Sequence, residues 1–309
     1  MEPSYLALHR EGKLERLARL ALEGLYACRI CPRECGVDRT AGDKGFCGAG
    51  RFAEVASYNA HFGEESPLVG VHGSGTIFFS RCNLLCSFCQ NYEISHLAEG
   101  TEVGPGELAE FMLRLQDAGC HNINFVTPTH VVPQILEALP RAVDLGLRVP
   151  LVYNSSGYDK KETIAMLRGV FDIYMPDFKF WDGEWSDRYC RAPDYPQRAA
   201  EALREMHRQV GDLRLEDGVA VRGILLRHLV MPGGVAGTER ILDFVAREIS
   251  PDTYVNVMDQ YRPCGTAGRD EWINRRLTAA EYREAVEAAK RAGLRRLDPR
   301  ERPRLIFQF

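Results

Sequence analysis

Stretches with strand character alternate with helical stretches along most of the chain, between residues 75 and 292. Six apolar runs have the character of buried strands, at 76–79, 122–126, 149–153, 171–175, 220–230 and 253–257. Apolar residues at helical spacing follow each run, at 106–118, 131–145, 160–167, 199–210, 238–249 and 278–292. Pro140 is an expected point of interruption in the second of these helices. Consecutive β-α units with apolar strands predict a parallel sheet with helices outside it.

The number of strands narrows the choice of fold. Six units predict an α/β fold of the partial (β/α)6, TIM-like barrel type rather than a complete eight-stranded barrel. In folds of this kind the chemistry sits at the carboxyl ends of the strands. We expect a helix, at 14–25, and a Cys-rich metal-binding segment in residues 1–70. The barrel would occupy residues 71–295 and a C-terminal tail residues 296–309.

Charge and hydropathy argue against two classes of partner. The net charge of −4 gives no reason to expect nucleic acid or an acidic membrane surface. The sequence lacks a run of about 20 apolar residues, so a transmembrane helix is not expected. The N-terminus lacks the basic start and apolar run of a signal peptide. We therefore expect a cytoplasmic protein that binds neither nucleic acid nor a membrane.

Three cysteines form a short motif directly after the first predicted strand: Cys82, Cys86 and Cys89, at CxxxCxxC spacing. Three thiolates on one loop can hold three corners of a [4Fe–4S] cluster and leave the fourth iron open, whereas clusters that only carry electrons usually have four protein thiolates. One alternative is a zinc site completed by His96 or His72, although zinc sites more often use CxxC pairs at two separated places. Another is an iron–sulfur electron carrier without catalytic activity.

A second group of cysteines lies near the N-terminus: Cys28, Cys31, Cys35 and Cys47. We call them the N-terminal cysteines. Four thiolates within about 20 residues suffice for a closed metal site, which would be either a tetrahedral zinc or an auxiliary [4Fe–4S] cluster. Spacing alone does not separate these two, nor does it exclude a site without metal. The isolated Cys120, Cys190 and Cys264 are expected to be ordinary residues.

The carboxyl ends of the later strands are rich in polar residues. They are Thr127 and Thr129 after the second strand, Asn154 after the third, Asp177 and Lys179 after the fourth, Arg227 and His228 in the fifth, and Gln260, Tyr261 and Arg262 after the sixth. A ligand carboxylate in so apolar a site needs a cation such as Lys179. Structural interpretations stand beside the functional ones: a helix cap at Thr129, a plain turn at Asn154, a surface ion pair of Asp177 with Lys179, and a structural role for His228.

Together, the N-terminal CxxCPRxC…CG segment, the CxxxCxFCQN loop, the VTPTH and DFK strand ends and the MDQYRP segment resemble the PflX branch of the radical S-adenosylmethionine (SAM) superfamily. That branch is similar to pyruvate formate-lyase activating enzymes. The resemblance covers roughly residues 25–295. It implies a [4Fe–4S] cluster, SAM as cofactor, and reductive cleavage of SAM to a 5′-deoxyadenosyl radical that abstracts hydrogen from a substrate.

The resemblance also implies partners. A reductant such as flavodoxin or ferredoxin would supply the electron, and the substrate would be a backbone glycine of a glycyl-radical enzyme. The N-terminal cysteines are an addition that compact activases of that kind do not need. A small molecule or another macromolecule is therefore the alternative substrate.

The resemblance assigns roles in the site to individual residues of this chain. The resemblance places Phe88 against the adenine, Asn154 at the ribose and Lys179, in a DxK motif with Asp177, at the SAM carboxylate. In the related activating enzymes a GGE segment receives the SAM amino group, and this chain has VTPTH at that place. Hydroxyl and carbonyl groups of Thr127 and Thr129 would then accept from the ammonium. Further candidates for SAM or substrate contacts are Arg227, His228, Gln260, Tyr261 and Arg262.

Overall fold

The computed structural model describes residues 1–299, and a mixed sheet of ten strands forms its centre. The strands are β1 Ala53–His61, β2 Ser74–Phe79, β3 Thr101–Val103, β4 Ile123–Val126, β5 Leu151–Ser155, β6 Ile173–Pro176, β7 Arg214–Glu216, β8 Val219–Leu229, β9 Tyr254–Met258 and β10 Arg296–Leu297. Of the predicted C-terminal tail, 296–309, residues 300–309 lie outside the described part of the chain.

Helices separate the strands along the chain. They are α1 Tyr5–Arg10, α2 Lys13–Glu23, α3 Ser66–Val69, α4 Tyr92–Ser95, α5 Pro105–Asp117, α6 Val132–Asp144, α7 Lys161–Met166, α8 Gly183–Cys190, α9 Tyr195–Val210, α10 Thr238–Phe244 and α11 Ala279–Ala292. Within residues 1–299 the structure contains no helix that is both long and apolar enough to cross a membrane.

The sheet has a parallel core with an antiparallel edge. Its strand order is β10-β9-β8-β6-β5-β4-β2-β1-β3, and β7 pairs separately with β8. Strands β2, β4, β5, β6, β8, β9 and β10 run parallel, whereas β1 and β3 run antiparallel to their neighbours. The prediction of a parallel core is confirmed. Among the described residues the order is open, with no pairing of β3 to β10, and the barrel geometry stays a prediction.

Large apolar side chains cover the sheet where helices pack on it. Phe125, Tyr153, Phe171 and Tyr174 are all buried and stack edge to face at centroid distances of 5.0–6.1 Å. Burying a side chain of this size contributes roughly 1.5–3 kcal/mol. This packing holds the strands rigidly and fixes where their carboxyl ends lie.

Helix α6 continues through Pro140, so the predicted interruption is wrong. A proline inside a helix removes one hydrogen bond and clashes with the preceding turn. The apolar face of α6 outweighs that cost, since Ile135, Leu136, Leu139 and Val143 are all buried against α2 and α5 or the sheet.

Two contacts join the N-terminal region to the rest of the fold. Helix α2 packs on α6, and β1, which the sequence did not reveal, pairs antiparallel with β2. The predicted domain boundaries at residues 70 and 295 stay predictions.

Candidate active site

A cleft of about 220 Å³ opens at the carboxyl ends of the parallel strands. Register explains why residues distant in sequence meet there, because Val126 pairs with Asn154, Asn154 with Met175, and Asp177 bridges to Arg227. Of the residues predicted for the cluster and SAM, the cleft is lined by Cys82, Cys86, Phe88, Cys89, Thr127, Asn154, Asp177, Lys179 and Gln260. The structure therefore brings most of the predicted site together.

The cysteine loop, residues 82–89, leaves the end of β2 with an unusual backbone. Arg81 and Leu85 adopt positive φ angles of 69° and 52°, a conformation that L-residues adopt only at a cost. The sulfur of Cys82 accepts a hydrogen bond from the Leu84 N–H at 3.3 Å, and the sulfur of Cys89 accepts one from the Ser95 hydroxyl at 3.3 Å. The loop is thus bent so that three thiols line one cleft.

These thiols are poor acids when free. Burial raises the pKa of Cys82 to about 12. A hydrogen bond with Cys190 and then burial raise the pKa of Cys86 well above its usual value. Bound metal would hold all three as thiolates. Cys190 does not line the cleft, so the cleft offers three cysteines and leaves room for an open iron.

Asp177, Lys179 and Arg227 form a buried ion group at the cleft. Lys179 Nζ lies 2.5 Å from one carboxylate oxygen of Asp177, and Arg227 Nε lies 2.8 Å from the other. Burial alone would raise the pKa of Asp177, but the two cations outweigh it and lower that pKa. Burial would lower the pKa of Lys179, and the nearby Asp177 raises it overall. Lys179 and Arg227 share the carboxylate of Asp177, and Arg227 also lies 3.5 Å from Glu64, so Lys179 is the cation placed to receive a further anion at the cleft.

Arg227 ties this ion group to the predicted Asn154 and to Glu64, which the sequence did not single out. Its Nη2 donates to the side-chain oxygen of Asn154 at 2.7 Å, and its Nη1 lies 3.5 Å from the carboxylate of Glu64. Burial raises the pKa of Glu64 to about 7. The neighbouring Glu65 accepts from the Asn256 amide at 2.8 Å. No sequence motif marks these glutamates, which enter the site from the turn before α3.

Thr127 occupies the strand end where related activating enzymes have GGE. Its φ is +60°, and its N–H donates to the backbone oxygen of Asn154 at 2.8 Å. A β-branched residue is an outlier in this left-handed region. The strand end therefore keeps a glycine-like conformation in a chain that has no glycine there.

Thr129 and His228 do not reach the cleft. The Thr129 hydroxyl donates to buried Asp159 at 2.7 Å, and α6 begins later, at Val132, without a side-chain cap, so the helix-cap interpretation is wrong. His228 Nδ1 donates to the Phe178 carbonyl at 2.6 Å, and its Nε2 lies 2.8 Å from the Thr238 hydroxyl. Burial lowers the pKa of His228 to about 4, which keeps the ring neutral at pH 7.

Other candidates differ in how far they extend into the cleft. Phe88 lines it while packing against Phe180 and Tyr189 at 5.9 and 6.2 Å. Tyr261 donates to the Ile273 carbonyl at 2.8 Å. The remaining candidates outside the cleft lining are Arg262, which is exposed, His72, which contacts His121, and His96, which stacks on Tyr92.

A glycine sets the spacing between two of the strand ends. Gly157 has a φ of +78°, and a Cβ at this position would lie 2.1 Å from the backbone oxygen of Asp177. The loop after β5 therefore contacts the loop after β6 directly. This contact positions Asp177 and Lys179 relative to Asn154.

The N-terminal cysteines surround a second, small cavity. Cys28 and Cys31 are buried, Cys47 is half-buried and Cys35 is exposed. In residues 1–299, no three His, Cys, Asp or Glu side chains are arranged to hold a single metal ion. The predicted metal at this place is not shown.

Comparisons with known proteins place this geometry in context. A family model described as the Radical SAM superfamily matches residues 76–245. An uncharacterized protein of Methanocaldococcus jannaschii is 34% identical over 279 residues, which cover 86% of this chain and 75% of that protein. The residues that the family model matches contain the cysteine loop and the ion group.

Proposed function

Because the chain belongs to the radical SAM superfamily, we propose that Cys82, Cys86 and Cys89 hold a [4Fe–4S] cluster whose open iron binds SAM. The observation that carries this proposal is the meeting of three thiols and the ion group of Asp177, Lys179 and Arg227 in one cleft. When bound there, the cluster and SAM would supply radical chemistry for hydrogen abstraction from a substrate. The finer fold proposal, a partial (β/α)6 barrel, is supported by the run of parallel strands β2, β4, β5, β6, β8 and β9, which the short β10 extends.

The chain's own residues have binding and orienting roles in this proposal. Lys179 would pair with the SAM carboxylate, and Asp177 holds the lysine ammonium in place. Arg227 orients the amide of Asn154, which would face the ribose. Phe88 offers an aromatic surface to the adenine. Roles at SAM for Thr129 and His228 find no support, because both side chains are hydrogen-bonded elsewhere.

For the substrate we propose first a backbone glycine of a glycyl-radical enzyme, as in PflX-type proteins similar to pyruvate formate-lyase activating enzyme. The sequence resemblance supports it. The alternative is a small polar molecule. Glu64 favours it, since this acidic group lies 3.5 Å from Arg227 and suits polar groups better than a glycine backbone does. The proposed electron donor is flavodoxin or ferredoxin in the reducing cytoplasm.

Cleavage of SAM under dithionite tests the common chemistry. The wild-type protein, reconstituted anaerobically, is expected to form 5′-deoxyadenosine, and a triple Ser variant at Cys82, Cys86 and Cys89 is expected to form none. Cys120→Ser is the matched control, since this buried cysteine lies at the other end of the sheet, before β4. Full cleavage by the triple variant would remove the basis of the proposal.

The substrate needs a separate experiment. The protein is incubated with SAM and a glycyl-radical enzyme from the same genome, and the glycyl radical is followed by electron paramagnetic resonance. A radical signal supports activation, whereas SAM cleavage without any signal favours the small-molecule alternative.

A further inference from the structure

The N-terminal cysteines enclose a cavity of about 10 Å³. A space of that size accommodates roughly one water-sized sphere. It has room for a single ion but not for a cube of four irons and four sulfides. The size of the cavity therefore favours a single ion over a cluster, the two kinds of metal site that spacing alone left open.

Backbone N–H groups are directed at these sulfurs. The Phe46 N–H donates to the sulfur of Cys35 at 3.3 Å. The N–H groups of Arg33 and Ala49 hydrogen-bond to Cys31 and Cys47. Such donors stabilise thiolates far more than neutral thiols, because hydrogen bonds to a charged acceptor are the stronger ones.

A buried cation beside the cavity lacks a negative partner. Arg39 is 1% exposed and lines the cavity. Its guanidinium donates to the Gly50 and His130 carbonyls at 2.8 Å each, and its Nη1 lies 3.9 Å from the sulfur of Cys28. Its Nη2 has no hydrogen-bond partner, and within residues 1–299 the hydrogen bonds of its guanidinium go to two carbonyls and a sulfur rather than to a carboxylate. A buried charge without a counter-charge is strongly destabilising, so an anionic group is missing from this place.

We propose that Cys28, Cys31, Cys35 and Cys47 bind one zinc ion as four thiolates and that Arg39 is the counter-ion of this centre. Zinc is bound tetrahedrally by thiolates at about 2.3 Å. Four thiolates around Zn²⁺ leave two negative charges, of which the guanidinium offsets one. Binding releases one proton for each thiol that was protonated. Within the described structure these side chains surround the cavity without converging on one point. Zinc binding therefore requires them to move inward onto the ion.

Hydrogen bonds connect the zinc centre to the cysteine loop. Arg33, between two of the ligands, donates to the Asn83 carbonyl at 3.0 Å and to the Cys190 carbonyl at 2.8 Å. His130, which accepts from Arg39, donates through Nε2 to the Ser80 carbonyl at 2.9 Å. These two links reach the cysteine loop and the residue just after β2. The role of the ion is to position the loop.

Metal analysis of the protein, purified anaerobically without added metal salts and reconstituted only with iron and sulfide, tests the proposal. We expect about one zinc and about four irons per chain. The double variant Cys28→Ser, Cys31→Ser is expected to lose the zinc and keep iron binding, and the control Cys120→Ser keeps both. About eight irons without zinc, or iron alone, would overturn the proposal.

Two measurements keep the proposal testable if the double variant does not fold. Wild-type protein loaded with Co²⁺ in place of zinc is expected to show the ligand-field and charge-transfer bands of a tetrahedral tetrathiolate. Arg39→Met is expected to weaken zinc affinity about 10- to 100-fold, measured by competition with a chromogenic chelator, and Arg39→Lys restores part of that loss. Bands of another coordination, or equal affinity in Arg39→Met and wild type, contradict the ligand set or the counter-ion role.

Discussion

Lys179 and Arg227 share the carboxylate of Asp177, and removing one cation should cost less stability than removing that carboxylate. Lys179→Met leaves Asp177 paired with Arg227 at 2.8 Å. No charge is left alone, so the free energy of unfolding is expected to change by about 1 kcal/mol or less. Asp177→Asn keeps the shape but leaves two buried cations together. Breaking a buried pair in this way costs about 3–5 kcal/mol.

Lys179→Met should affect SAM affinity much more than it affects stability. In Lys179→Met the SAM carboxylate loses a charge-assisted hydrogen bond worth about 1.5–3 kcal/mol. The Kd for SAM should therefore rise about 10- to 150-fold. Anaerobic calorimetry on reconstituted protein measures the Kd, and urea unfolding followed by circular dichroism measures stability. The control is Lys290→Met, since this lysine is 59% exposed on α11 and forms a surface ion pair with Glu287.

The reasoning fails on either of two results. An unchanged Kd for SAM in Lys179→Met would mean that the carboxylate binds elsewhere. Wild-type stability in Asp177→Asn would mean that the two cations are not buried together.

Further predictions concern the surroundings of the cleft. Burial raises the pKa of Glu64 from 4.5 to about 7, so the wild type loses stability as pH rises through that window. In the wild type this loss in the free energy of unfolding is on the order of 2 kcal/mol between pH 5 and 8. Glu64→Gln should abolish it, as measured by urea unfolding. Cys190→Ser should keep the cluster absorbance and SAM cleavage, whereas Cys86→Ser should abolish both; equal loss would make Cys190 a ligand. Thr127→Gly should raise the free energy of unfolding by about 1 kcal/mol, because glycine adopts positive φ without strain; a loss of stability contradicts this.

The parallel core could be predicted because its strands are nearly continuous apolar runs. The antiparallel edge could not, since in β1 only Ala53 and Val55 are buried and the remaining residues alternate without a clear apolar face. Helix α8 was missed for a similar reason, because it is short and mostly polar. Local hydrophobic pattern thus identifies elements that are buried on both faces and overlooks those at the periphery.

For the site, the sequence locates strand ends but not the directions of side chains. Asp177 and Lys179 were predictable because alternation places residues two apart on one face. Thr129 is also at a strand end, yet its hydroxyl finds the buried carboxylate of Asp159, which only the folded chain reveals. Glu64 reaches Arg227 from a turn far away in sequence, so no local pattern could predict this contact.

The contact between Gly157 and the backbone of Asp177 limits how this cleft can diversify. With a Cβ only 2.1 Å from that carbonyl oxygen, even alanine must push the loop after β6 outward and carry Lys179 with it. A residue that touches no ligand thereby sets the reach of the cation toward the open iron. Libraries that aim to retune SAM affinity should keep position 157 fixed and vary the cleft wall instead.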